Sequence, residues 1–187
     1  MESAYRQGVF PMADADGTVG WYAPDPRTIF DLDRFHIPRR LARTVRKGLF
    51  DIRFNHDFEA VMRKCAEPDV GREETWISEE LVRVYCQMHA LGKAHSVECW
   101  SDGELAGGLY GVALGGAFMG ESMFSRKTDA SKVALVHLVT RMRERGFVLL
   151  DTQFMTPHLA SLGASSIPLT EYLQRLSRAL RLPCRLD

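Results

Sequence analysis

Four cysteines, Cys65, Cys86, Cys99 and Cys184, lie far apart and none forms a Cys-x-x-Cys pair, which excludes the commonest zinc and redox spacings. The first three fall in segments patterned as helix or strand, so reduced, mostly buried thiols of a cytosolic protein are expected. The six histidines show no metal-ligand spacing, and His89 and His95, flanking a helix end, read as structural. No metal and no cofactor is therefore expected. No apolar run approaches the roughly 20 residues that span a bilayer, and the start is not patterned as a signal peptide, so the expectation is a cytoplasmic protein without a membrane partner. Net charge is missing as well: 24 basic residues balance 24 acidic ones, and any nucleic-acid contact has to come from a local cluster. There is no internal repeat and no low-complexity segment.

What is present is a chain of 187 residues, 45% hydrophobic, enough to bury a good core. Its most informative stretch runs from Met119 to Gln153. A strand ending in the polar Glu121 and Ser122 is followed by a helix, which Asp129 caps and Gly146 closes, with Val133, Leu135, Val136, Leu138 and Val139 on a broad apolar face. Phe147 to Leu150 is then a continuous apolar run, as in a strand covered on both faces. It ends in Asp151, with Gln153 one strand period later and on the same face. This strand, helix, strand order predicts an α/β fold with its polar strand ends at one sheet edge, where open α/β sheets place ligands.

The rest of the chain is read around that unit. Tyr5 to Pro11 and Trp21 to Arg27 are rich in aromatic residues, proline and glycine and read as loops rather than long elements. Of the neighbours Trp21 and Tyr22, one side chain should remain accessible. Pro38 to Gly48 reads as a short helix with Leu41 and Val45 inward. Its cations, Arg39, Arg40, Arg43, Arg46 and Lys47, have no acid among them, as a phosphate-backbone contact needs. Asp57 or Asn55 opens a second helix. Pro68 to Glu74 reads as a linker, dividing residues 1–67, a small lobe, from residues 75–187. Ser78 caps a helix ending at Gly92, His95 to Ala113 forms a hairpin across Ser101 to Glu104, and Gly115-Gly116 turns into the next strand. Gly107, Gly108 and Gly111 have the wrong spacing for a phosphate loop and mark a bulged strand instead. Thr156-Pro157 starts a short helix, and Thr170 caps the last one.

Eight motifs in order resemble one family. They are Tyr-Arg-x-Gly-Val-Phe-Pro from Tyr5, Trp-Tyr-Ala-Pro-Asp-Pro-Arg from Trp21, Arg-Glu-x-Thr-Trp-Ile ending at Ile77 and Gly-x-Ala-His-Ser-Val-Glu from Gly92. The others are Gly-Gly-x-Tyr-Gly-Val from Gly107, Gly-Glu-Ser-Met-Phe-Ser-Arg from Gly120, Ala-Ser-Lys from Ala130 and Leu-Leu-Asp-x-Gln from Leu149. Together they resemble the leucyl/phenylalanyl-tRNA protein transferases. The resemblance implies a GNAT-like α/β C-terminal domain after a smaller N-terminal lobe. It also implies transfer of Leu or Phe from leucyl- or phenylalanyl-tRNA to proteins with N-terminal Arg or Lys, which marks them for degradation. Carried over residue by residue, it places catalytic roles on Asp151, Gln153 and Glu121 and the terminal adenosine of the tRNA on Tyr22 and Trp76. The transferred side chain falls among Leu109, Met123, Leu135, Leu138 and Leu150. Two departures stand out: many members have Trp at the position of Tyr22, and the family usually carries a further segment before the Tyr-Arg motif.

Such a reaction is aminolysis of an ester and needs neither ATP nor a redox group; it needs control of the amine proton, an oxyanion donor and a proton for the departing ribose oxygen. Asp151 is assigned to the attacking amine, as proton acceptor or anchor. Gln153 orients by hydrogen bonding, and Glu121 lines the site. Two other readings are compatible with the fold: an acyl-CoA-dependent N-acetyltransferase, although Ser125 to Asp129 lacks the glycines of a pyrophosphate turn, and a tRNA-binding relative without transfer activity.

Overall fold

The computed structural model describes residues 1–14, 16–68 and 75–187; most of the expected linker at 68–74 lies outside the described residues. A short helix α1 (Glu2–Arg6) precedes a two-stranded ribbon of β1 (Phe10–Ala13) and β2 (Val19–Tyr22). Strand β3 (Arg27–Phe30), a 3-10 turn, helix α2 (Arg39–Arg46), β4 (Asp51–Phe54) and helix α3 (Phe58–Ala66) follow. The remainder runs α4 (Glu79–Ala90), β5 (Ala94–Ser101), β6 (Glu104–Leu114), β7 (Ala117–Ser125), α5 (Ala130–Glu144), β8 (Leu149–Gln153), α6 (Pro157–Ala160), β9 (Ser165–Ile167) and α7 (Leu169–Ala179).

The mixed α/β architecture is the one expected. Seven strands form a single sheet in the order β4-β5-β6-β7-β8-β3-β9. Among the described residues only the pair β7 and β8 is parallel, as a crossover helix between them requires. The division expected between residues 67 and 75 does not coincide with an edge of this sheet, since β3 and β4 precede it and pair with β8 and β5. These strands, with β9, are too short for periodicity to reveal them.

Neighbouring strand residues point to opposite faces, and each face carries its own core. Met119 and Leu149 join Val61, Met62, Leu81, Tyr85, Tyr172 and Leu176 from α3, α4 and α7. Phe118 and Leu150 join Leu41 of α2 and the apolar face of α5. The α5 residues Val133, Leu135, Val136, Leu138 and Val139 are all buried, as their spacing predicts.

Turn chemistry explains the sheet's corners. Asp102 and Gly103 both have positive φ, 56° and 80°, the conformation of a two-residue hairpin turn. Gly111 sits at a register shift between β6 and β7, where an added Cβ would lie 2.3 Å from the Met119 carbonyl oxygen, so the bulge admits no side chain.

Two expected caps are corrected. Asp129 occupies the cap position of α5 with φ 66° and makes no side-chain cap bond; its carboxylate is drawn instead to Arg40 and Lys132. Thr170 lies inside α7, which starts one residue earlier behind Pro168. The helix's first amide, of Leu169, donates to the distant Asp25 carboxylate at 3.0 Å. By contrast Ser78, Asp57 and Thr156 accept from Leu81, Ala60 and Leu159 N–H as expected. Among the described residues no helix is long and apolar enough to cross a membrane.

Candidate active site

Pairing between β7 and β8 covers Ala117 to Met119 and Leu149 to Asp151, yet β7 runs on through Glu121 to Ser125 and β8 to Gln153. Glu121 therefore lies within a strand rather than at the end of one. Beyond the last pair the strands part, and a cavity of about 660 Å³ is lined by residues from both. All five residues expected to surround the transferred side chain, Leu109, Met123, Leu135, Leu138 and Leu150, line it. Glu121, Gln153, Ser122 and Thr152 line it as well.

The polar side of the cavity is tightly organised. Gln153 Nε2 donates to Glu121 Oε1 at 3.3 Å, and Tyr85 Oη donates to Glu121 Oε2 at 3.0 Å. The Tyr85 hydroxyl in turn touches that of Tyr5. Burial pushes the Glu121 carboxyl up to about 8, against the pull of the two tyrosine hydroxyls and with the help of the Asp151 charge. Burial, followed by the Glu121 charge, raises Tyr5 and Tyr85 well above the ordinary range, so both stay neutral donors.

Asp151, assigned from the sequence to the attacking amine as proton acceptor or anchor, makes its contacts within the protein. It is fully buried, is not among the cavity-lining residues, and is surrounded by donors. Oδ1 accepts from Arg27 Nε at 2.8 Å and from the Gln153 backbone N–H at 3.0 Å; Oδ2 accepts from Arg27 Nη2 at 2.6 Å and from Tyr172 Oη at 2.9 Å. A carboxylate whose oxygens each accept two hydrogen bonds has little left to offer an incoming group. Burial works against the Arg27 charge, but the Asp151 carboxylate more than offsets it and holds the guanidinium above its ordinary range. Burial and then the Asp151 charge raise Tyr172 too.

The aromatic residues form a second district around the ribbon. Trp21 is 52% exposed and Tyr22 is partly buried, in keeping with one of the two being accessible. Tyr22 packs near Phe10, ring centroids 6.2 Å apart, and its hydroxyl donates to Asp14 Oδ1. Trp76 reaches the same ribbon through its carbonyl, which accepts from the Ala13 N–H at 3.1 Å. Neither Tyr22 nor Trp76 lines the cavity itself; Phe154, edge-on to Phe10 at 5.8 Å, does and links the two districts.

On α2, Arg39, Arg40, Arg43, Arg46 and Lys47 are all exposed. Arg40 pairs with Asp129, and the other four make no ion pair among the described residues. The helix packs against α5, which also contributes residues to the cavity lining. No group of three His, Cys, Asp or Glu side chains that could hold a metal ion occurs among the described residues.

Several site residues carry no sequence signal of their own. Tyr85 and Tyr172 sit on helical stripes that read as core, and Arg27 closes a motif without any hint that it is buried. His158, a further lining residue, has its Nε2 buried without a hydrogen-bond partner among the described residues. Burial, with Lys132 nearby, keeps it below the ordinary imidazole range and therefore neutral.

Comparison with known proteins agrees with the motifs on which this geometry rests. The profile of the leucyl/phenylalanyl-tRNA protein transferases matches residues 29–177, and that of the corresponding N-terminal domain matches residues 1–25. The leucyl/phenylalanyl-tRNA-protein transferase of Rubrobacter xylanophilus is 59% identical over 95% of this chain and 92% of its own length. That of Gloeobacter violaceus is 55% identical over 97% and 93%, and that of Herpetosiphon aurantiacus 58% over 95% and 91%. Among solved structures, L-PGS from Bacillus licheniformis is similar at 17% identity and a TM-score of 0.45, covering 86% of this chain and 54% of that one. With matches that take in the ribbon, both strands of the fork and the helix between them, the chain belongs to the leucyl/phenylalanyl-tRNA protein transferase family.

Proposed function

We propose that the fork between β7 and β8 receives the aminoacyl end of leucyl- or phenylalanyl-tRNA and passes the acyl group to the α-amine of a protein beginning with Arg or Lys, marking that protein for degradation in the cytoplasm. The observation that carries this reading is the division of the cavity, which sets five apolar side chains against the hydrogen-bonded pair of Glu121 and Gln153. An apolar hollow accepts Leu and Phe, rejects polar side chains through their desolvation, and separates apolar ones by size alone.

The chemistry falls to the polar side. The amine nitrogen bonds to the ester carbonyl carbon, the bond to the ribose oxygen breaks, and one proton moves from the amine to that oxygen. Glu121, raised to about 8, is matched to an α-amine of pKa about 8, so proton exchange between them is close to balanced. It accepts the amine's proton and returns it to the leaving oxygen. Gln153 cannot take a proton and orients the reacting groups from 3.3 Å away. Asp151, enclosed by its donors, contributes by holding the strand end.

Around this centre, Tyr22 and Trp76 offer aromatic faces to the terminal adenosine. The exposed cations of α2 hold acceptor-stem phosphates without reading sequence, which suits an enzyme serving two kinds of tRNA.

The test is transfer of labelled Leu from leucyl-tRNA to a peptide beginning with Arg, run beside the same peptide beginning with Asp. Transfer to the Arg peptide alone is expected. Transfer to both would remove the acceptor rule, and tRNA binding without transfer to either would make the chain a binding relative.

A further inference from the structure

We infer that Arg27 is a positioning residue for the transfer, acting through the Asp151 carboxylate on the backbone and side chain of Gln153. The inference rests on the reading of the fork as the transfer site. An arginine with no exposed surface carries a large desolvation cost, which requires a full set of partners. Arg27 has them: two nitrogens on Asp151, Nη1 on the Gly8 carbonyl at 3.0 Å, and the rings of Phe10 and Tyr172 at 4.8 and 4.5 Å from the guanidinium carbon. The guanidinium is thereby fixed by α1's exit loop, β1, β8 and α7 together.

What it fixes is local and unusual. Gln153 has φ 58°, a left-handed conformation that non-glycine residues seldom adopt. The pairing of β3 with β8 slips at the same place: Ile29 faces Asp151 and Thr28 faces Gln153, which leaves Thr152 as an extra residue. Bulges of this kind re-aim side chains next to active sites. The Gln153 N–H at this bend donates to the same Asp151 oxygen that Arg27 Nε holds. Guanidinium, carboxylate, peptide N–H and amide side chain thus form one connected path ending at Glu121.

Lysine at position 27 keeps the charge but cannot hold two carboxylate oxygens and the Gly8 carbonyl in one plane. The experiment measures the single-turnover rate of labelled Leu transfer from preloaded leucyl-tRNA to an Arg-initial peptide, with tRNA affinity measured separately by filter binding. Gln153→Ala is expected to slow transfer on the order of 10²-fold, and Arg27→Lys about 10- to 100-fold, since small displacements of aligned groups have effects of this size. In the Gln153→Ala background, Arg27→Lys should add less than about 3-fold, because the two residues act along one path. Affinity for tRNA should stay within about 3-fold of the parent throughout.

A loss from Arg27→Lys that multiplies undiminished on Gln153→Ala overturns the inference, as does an unaltered rate or a loss that appears in tRNA affinity. Should Arg27→Lys fail to fold, Tyr172→Phe removes one donor from Asp151 and leaves the ring over the guanidinium. The same comparison then decides: a slowing that vanishes in the Gln153→Ala background supports the path, and a multiplicative or absent one overturns it. Full transfer by Gln153→Ala alone is the distinct result that overturns the reading of the fork itself.

Discussion

Glu121 and Gln153 meet across a gap that the sheet does not bridge: their side chains are 3.3 Å apart although the last paired residues of their strands are Met119 and Asp151. The contact closes the polar side of the fork with side chains where backbone pairing has stopped. Its consequences can be measured.

Glu121 has a folded-state value of about 8 against an ordinary 4.5. Below about 4.5 both folded and unfolded states hold the proton, and the stability is complete; as pH rises towards 8, unfolding releases that proton and stability falls. Urea unfolding of Glu121→Gln should therefore match the parent near pH 4 and exceed it near pH 8. Parallel stability curves would show that Glu121 is not raised. Transfer by this variant should be slower on the order of 10²-fold, the usual scale for a lost acid-base group.

Removing the Asp151 charge strands Arg27. Asp151→Asn leaves a buried guanidinium facing an amide, and breaking a buried pair from one side costs about 3–5 kcal/mol. Urea denaturation measures this directly, and a change below about 1 kcal/mol, typical of surface sites, would mean that the pair is solvated.

Leu135 is 2% exposed and faces the cavity from α5. Leu135→Ala should cost about 2–5 kcal/mol of stability and raise transfer of Phe relative to Leu by enlarging the hollow. An unaltered ratio in competition between phenylalanyl- and leucyl-tRNA would remove this residue from the acyl-group wall.

Arg43 is exposed on α2 and makes no ion pair among the described residues. With Arg43→Glu, every tRNA should bind more weakly, and the plot of log affinity against log salt should lose about 1–2 units of slope. An unchanged slope would return α2 to an ordinary solvated face.

How much of this could be read in advance depends on how local each signal is. The crossover from β7 through α5 to β8 was legible because a buried helix leaves a long apolar pattern, although β8 itself starts only at Leu149 and Val148 of the expected run is exposed. The five lining residues followed from the family resemblance, and all five line the same cavity. The support beneath it was not legible. Arg27 and Asp151 are 124 residues apart, and nothing local marks an arginine as buried. Tyr85 and Tyr172 announce only a helical stripe. Gln153's left-handed backbone is created by the bulge against β3, a strand of four residues that no periodic pattern betrays. The cap at Asp129 failed because its backbone is left-handed, with φ 66°, rather than in the extended region a cap residue adopts, and its carboxylate pairs with Arg40.

Part of the apolar wall stands on a different element from the polar pair, although Leu109, Met123 and Leu150 come from the strands. Helix α5 supplies Leu135 and Leu138 to the cavity wall, while Glu121 and Gln153 come from the strands. On the proposed function, changes in the repertoire of transferred groups can accumulate at Leu135 and Leu138 without shifting Glu121 and Gln153. An engineer seeking to load larger or unnatural side chains has a defined surface on which to mutate, one turn apart on a single helix, while leaving the chemistry in place.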